Sequence, residues 1–299
     1  MNFDKLFDTH CHLDIDAALD DNLNDSITIS KSIYRQLTHN ICVASLDFQN
    51  LKAILKIKLN YDKLYCLSIS ESKNQILDKD DLENNLNRTN NKLYIGAGIH
   101  PMYIKEEPSD VHNKLLDNEF KDFESFVIEN RLNVSFIGEI GLDKRIEQRI
   151  PLNLQEFVLN KQISLAKTLN KNVVLHCVGR YNSLIDVLKK YKFDVKGIVH
   201  GFTSSYEVAK TLIDLGYKIG VGKHLFDSPK LQDVVKKVGL ENLVVETDGF
   251  YSCKVNNGKD FVMKQAELIN RVNLLSSLLN HDTDMCLEQI YHNSKIIFE

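Results

Sequence analysis

The chain has 299 residues, 43% of them hydrophobic and 26% charged, which is the composition of a globular protein long enough to bury a full core. A net charge of −4 argues against coating nucleic acid non-specifically, although a small site can gather positive charge through metal ions. No apolar run approaches the roughly 18 residues of a membrane span. The stretch "MNFDKLFDTH" lacks the apolar core of a signal peptide, and six scattered cysteines without a CxxC pair suit a reducing compartment. A cytoplasmic protein is therefore expected.

In chain order, eight short apolar runs end in polar or glycine-rich residues. They are "LFDTHCH" (6–12), "NICVAS" (40–45), "KLYIGAGIH" (92–100), "VSFIGEIG" (134–141), "KNVVLHC" (171–177), "KGIVHGF" (196–202), "GYKIGVG" (216–222) and "ENLVVETD" (241–248). Several are apolar almost throughout, as strands buried on both faces are. Helical spacing falls between them: 154–170 gathers Phe157, Val158, Ile163, Leu165, Ala166 and Leu169 near one face, 204–216 runs from serine caps to a glycine, and 231–240 is shorter. The polar region 70–90 reads as a surface helix and loop, and the stretches 266–280 and 282–298 as two closing helices. Eight strands in this length predict an α/β fold, a (β/α)8 barrel forming one domain over residues 1–299. The alternative is an open doubly wound sheet, which lacks its usual support because no GxGxxG or GxxxxGK[ST] stretch is present.

Polar residues fall at the strand ends. His10 and His12 alternate on a strand and so face the same side. His100 closes the third run, Glu139 the fourth, His176 the fifth, His200 the sixth and Asp248 the eighth. In a barrel every strand's carboxyl end opens onto one face, so these residues converge there. Imidazoles and carboxylates without a thiolate suit Zn²⁺, Mn²⁺ or Mg²⁺. So many ligands exceed what one catalytic ion takes while keeping a position open for water. Two ions sharing a carboxylate, about 3.5–4 Å apart, satisfy the count and suit phosphoryl displacement.

The motifs "DTHCHLD", "GIHP", "GEIGLD", "LHC", "HGFTSS" and "VVETDGFY", with "HNSKIIF" near the C-terminus, resemble those of TatD-type metal-dependent hydrolases, the TatD DNase family of the amidohydrolase superfamily. The resemblance runs from residue 7 to 298 in family order. It implies a TIM barrel, two or three divalent ions and phosphodiester hydrolysis, often 3′→5′ exonuclease action on DNA. Carried over, His10, His12, Glu139 and Asp248 would hold one ion, and Glu139, His176 and His200 the second, with Glu139 bridging. Asp248 would orient or deprotonate the attacking water, His100 would contact a substrate phosphate, and Asp143 is a supporting or substrate-side residue. Glu139 stands where other amidohydrolases often carry a modified lysine.

The departures gather around the cleft. Val178 stands where the family usually has arginine, leaving Arg180 as the nearest arginine and a substrate-binding candidate. "ETDGFY" replaces "ETDSP", the following loop lacks the asparagine–proline pair, and "GLDKR" lacks an aromatic after its aspartate. Lys144, Arg145, Arg149, Arg180, Lys223 and Lys254 follow strand ends and are candidates for a phosphate backbone, and Tyr251 for stacking on a base. Cys11 and Cys177 flank ligands but should face away from them. The leading expectation is a two-metal DNA exonuclease acting on single-stranded or frayed ends. The alternative is a subunit of a multi-protein assembly, such as an anti-phage defence system, with conditional or no activity of its own.

Overall fold

The computed structural model describes residues 5–14, 28–31, 33, 37, 39–73, 92–105, 112–192, 194–252 and 259–299. Most of the 70–90 region, the acidic 106–110 stretch and Lys254 with its loop lie outside these residues. The strands are β1 (Phe7–Asp14), β2 (Asn40–Ala44), β3 (Leu93–Ala97), β4 (Phe136–Asp143), β5 (Val173–Val178), β6 (Gly197–Val199), β7 (Tyr217–Val221), β8 (Leu243–Val245) and β9 (Phe250–Ser252). They pair in parallel in the order β8-β7-β6-β5-β4-β3-β2-β1-β9. The longer helices are α1 (Phe48–Lys73), α2 (His112–Glu129), α3 (Leu152–Thr168), α4 (Tyr181–Lys189), α5 (Tyr206–Asp214), α6 (His224–Asp227), α7 (Pro229–Val238), α8 (Lys259–Leu279) and α9 (Thr283–Phe298). No helix among the described residues is long and apolar enough to cross a membrane.

Among the described residues nine strands appear where eight are predicted, because the eighth bends. β8 ends at Val245, three residues short of Asp248, and Asp248 takes a left-handed φ of 50°. The chain thereby turns from β7 onto β1. The Asp248 amide donates to the His10 carbonyl at 3.0 Å and the His12 amide to the Gly249 carbonyl at 3.0 Å, and β9 continues in parallel register with His12 opposite Phe250. β8 and β9 are thus two halves of one barrel strand, and their junction closes the (β/α)8 barrel.

A buried network reinforces that seam. Asp8 accepts from the Thr247 amide at 2.8 Å, the Thr247 hydroxyl at 2.6 Å and the Tyr251 hydroxyl at 2.8 Å. Burial nevertheless pushes its carboxyl up to about 6. Tyr251 in turn accepts from His39 Nε2 at 2.9 Å. Burial pushes the His39 imidazole down from 6.5 to about 4, so it is neutral in the folded protein near neutral pH. Below pH 6.5 the unfolded chain takes up a proton that the folded state refuses until about pH 4. This group's contribution is complete above pH 6.5 and lost on acidification, a swing of about 3 kcal/mol. Urea unfolding at pH 7.5 and pH 5 is expected to show a smaller acid loss for His39→Asn than for the parent. An equal loss in both would show that His39 does not carry it.

Inside the barrel, Phe7, Cys42, Ala44, Tyr94, Phe136, Val174, Ile198 and Val244 form one apolar cluster with Ile297 and Phe298 of α9. Phe298 lies 5.6 Å from the Phe7 ring and 5.1 Å from the Phe136 ring, plugging the end of the barrel opposite the polar residues. Outward-facing strand residues instead join the core shared with the helices. Capping fixes the helix starts: Ser228 Oγ accepts from the Leu231 amide at 3.2 Å ahead of Pro229, and Asp282 accepts from the Asp284 and Met285 amides.

Candidate metal centre

Strand alternation alone does not bring the polar groups inside. On β1, Phe7 points into the barrel, and strict alternation would turn His10 and His12 outward. A register shift between Asp8 and Cys11 changes the parity, so both imidazoles face the interior while Cys11 packs outside. β4 does the same: Phe136 is interior, and a shift between Ile137 and Ile140 brings Glu139 inside as well. β5 and β6 need no such device, because Val174 and His176, and Ile198 and His200, already share a face. Bulges beside sites commonly re-aim side chains in this way.

Two buried glutamines on α3, seven residues apart and so on one helix face, tether the strand ends. Gln155 accepts from the Asp143 amide at 2.7 Å and donates to the Asp143 carbonyl at 3.1 Å. Gln162 makes the same pair of contacts with Ile99, at 2.7 and 3.1 Å, just before His100. Ser45 clamps Gly98 from β2's end, and its carbonyl accepts from the Glu139 amide at 3.2 Å.

Glu139 is the centre of the resulting cluster and is buried. Its two carboxylate oxygens face two different sets of imidazoles. Oε2 lies 3.3 Å from both His10 Nε2 and His12 Nε2. Oε1 lies 2.9 Å from His176 Nδ1, 2.7 Å from His200 Nε2 and 3.4 Å from His100 Nε2. Burial would raise this carboxyl, but the charges of His200, His10 and His100 outweigh it and hold it well below the usual range. Asp248 completes the set with Oδ1 3.6 Å from His10 Nε2, its side chain 41% exposed at the rim.

Hydrogen bonds on the far side of each ring decide which nitrogen faces the centre. His12 Nδ1 donates to the Ala44 carbonyl at 3.1 Å, leaving the Nε2 lone pair directed at Glu139. His176 Nε2 donates to Asp143 at 3.1 Å, leaving Nδ1 as the inward atom. His100 is the reverse case. Its Nδ1 accepts from the Met102 amide at 3.0 Å, so Nε2 keeps the proton and presents a donor.

The donor set fits divalent cations. Lone pairs of imidazole and carboxylate face each other across about 3 Å, which requires a proton or a cation between them. His10 is fully buried, with neither ring nitrogen making a hydrogen bond. Groups able to hold an ion are His10, His12 and Glu139; His10, His200 and Asp248; and His100, Glu139 and His176. In the last, the His100 proton leaves Glu139 and His176 as the usable atoms.

Five residues expected on the substrate side, Asp143, Arg145, Arg149, Arg180 and Tyr251, make contacts within the protein. Asp143 is fully buried beneath His176, and Arg145 grips it through Nε at 3.0 Å to both oxygens and through its terminal nitrogen. Burial would push the Asp143 carboxyl up, but the bonds from His176 and Arg145 hold it well below the usual range. It therefore supports an imidazole and does not face the cleft. Arg180 forms a bidentate pair with Glu147, a partner whose role no local motif reveals. Tyr251 is buried against Asp8 and cannot stack on a base. Its neighbour Phe250 is 58% exposed, with its ring 5.2 Å from that of His12. Arg149 donates to the Met102 carbonyl at 2.6 Å, while Lys144 and Lys223 are exposed. Cys11 and Cys177 are buried away from the cluster, among the outer core residues.

A model of the family described as TatD-related DNase matches residues 7–299. A Haemophilus influenzae protein named an uncharacterized metal-dependent hydrolase is 33% identical over 161 residues, 52% of this chain and 58% of that protein, so the match spans under two thirds of its length. YjjV of Escherichia coli K12, also named an uncharacterized metal-dependent hydrolase, is 28% identical over 247 residues, 82% of this chain and 79% of that protein. The crystal structure of YjjV, described as a TatD homolog, superposes with a TM-score of 0.70 at 22% identity, covering 99% of this chain and 98% of that one. The 3′-5′ ssDNA/RNA exonuclease TatD of Pantoea ananatis is 25% identical over 210 residues, 68% of this chain and 76% of that protein.

Proposed function

Because the chain belongs to the TatD-related DNase family of metal-dependent hydrolases, we propose that it hydrolyses DNA phosphodiester bonds from the 3′ end, using two divalent ions. The observation that carries this reading is the division of Glu139, whose Oε2 faces His10 and His12 and whose Oε1 faces His176 and His200. A carboxylate so placed is suited to bridge two ions. His10, His12, Glu139 and Asp248 would hold one, and Glu139, His176 and His200 the other. Mg²⁺, Mn²⁺ and Zn²⁺ all suit the donors.

When bound, the ions supply the positive charge that activates water and stabilises the departing oxygen. Asp248, at the rim and on the His10 side, orients the attacking water and takes its proton. His100 offers its Nε2 proton to a non-bridging phosphate oxygen. Asp143, charged through its bonds to Arg145 and His176, keeps His176 Nδ1 turned inward. Phe250 exposes a ring beside His12 on which a base of an unpaired strand can stack, which favours single-stranded or frayed ends.

The test uses metal-stripped protein with end-labelled single- and double-stranded DNA, restoring Mg²⁺, Mn²⁺ or Zn²⁺ in turn. Metal-dependent shortening from the 3′ end, faster on single strands, is the expected result. Intact DNA with every metal, while the ions are measurably bound, would overturn the substrate assignment.

A further inference from the structure

We infer that Glu246 is the positioning residue for His200, accepting a hydrogen bond from Nδ1–H and so holding Nε2 toward the second ion; this rests on the two-ion reading above. Val244 of β8 points into the barrel, and Glu246, one residue beyond the end of β8, lies against Gly220 of β7. It reaches across β7 to His200 at the end of β6, and both residues are buried. Glycine makes the passage. A Cβ on Gly220 of β7 would lie 2.4 Å from Glu246 Oε2, and one on Gly222 3.4 Å from Oε1.

The carboxylate is held but not satisfied. Oε1 accepts from the Gly201 amide at 2.5 Å and lies 3.9 Å from His200 Nδ1. Oε2 and His200 Nδ1 both lack a hydrogen-bond partner despite burial. An imidazole that ligates through one ring nitrogen carries its proton on the other, and a buried proton requires an acceptor. His12 has the Ala44 carbonyl and His176 has Asp143 for this purpose. For His200, Glu246 is the carboxylate that faces Nδ1 among the described residues. A shift of about 1 Å brings the two within hydrogen-bond distance.

The test counts ions and their affinities by titrating metal-stripped protein with Mn²⁺ or Zn²⁺ against a chromophoric chelator, and follows melting of the metal-free protein. Glu246→Leu, which keeps bulk but removes the acceptor, is expected to weaken one of the two ions about 10–100-fold. Glu246→Gln, retaining one acceptor oxygen, should recover most of that loss. Gly220→Ala, whose methyl group would press on the Glu246 carboxylate and the His200 backbone, should weaken the same ion while leaving both side chains chemically intact. Wild-type affinity for both ions in Glu246→Leu and Gly220→Ala, whatever happens to melting, would overturn the inference. Fewer than two ions in the unaltered protein would instead sink the two-ion reading, and this inference with it.

Discussion

Glu139→Gln is expected to lower DNA hydrolysis by on the order of 10³-fold or more and to leave the protein unable to hold two ions. The reason lies in the two faces of one carboxylate. Oε2 meets His10 and His12, and Oε1 meets His176 and His200, all within 3.3 Å. Glutamine keeps the shape but has one oxygen and one NH₂ group. Whichever way the amide turns, one set of imidazoles meets hydrogen atoms where an anionic ligand was, and an NH₂ group does not ligate a cation. The negative charge that draws both ions into a buried pocket is lost as well. Elemental analysis after dialysis should find fewer than two ions per chain, and added metal should raise the melting temperature less than it raises that of the parent. A variant that binds two ions and still cuts DNA would show that Glu139 is not the bridge.

Which side chains gather at the centre was more legible in the sequence than how the strands bring them there. His10 and His12 were readable as a pair because alternation is a local property, and His176 and His200 because each follows an apolar strand whose inward residue lies two positions earlier. The register shifts in β1 and β4 were not readable. Phe7 and Phe136 point into the same interior as His10 and Glu139 although the spacing between them is odd, and nothing in the composition of "FDTHCH" or "FIGEIG" announces the extra residue. The closure was hidden for another reason. Asp8 is a polar residue beside a metal-type motif until one knows that Thr247 and Tyr251 lie against it across the seam. Glu246 has no local signature beside Asp248 in "VVETD", because its surroundings include Gly220, from a different strand. α1 carries a readable signal in Leu51, Ile54, Leu55 and Tyr61, buried at helical spacing. Such residues act through pairings between distant segments, and pairing is what a single sequence leaves open.

Asp248→Asn separates chemistry from assembly. Asp248 holds a left-handed backbone conformation with φ 50°, a region that asparagine tolerates as well as aspartate does, so the closure of β8 onto β1 should survive. The Asp248 amide, not its side chain, makes the bond to the His10 carbonyl, and that bond is unchanged by the substitution. What disappears is a carboxylate at the rim of the centre, 3.6 Å from His10 Nε2. With His10, His12 and Glu139 intact for one ion and His176 and His200 for the other, both ions should remain, the first held more weakly. The turnover rate should nevertheless fall by roughly 10²–10⁴, the usual contribution of a positioned general base, while KM for an oligonucleotide changes little. Rate, ion count and melting temperature must be measured on the same preparation, because only a large loss of rate with ions and fold retained assigns Asp248 to the reacting water. If the chain instead serves as a subunit whose presence suffices for a larger assembly, Asp248→Asn would preserve its function in the cell. That outcome is incompatible with a nuclease whose attacking water depends on this one carboxylate.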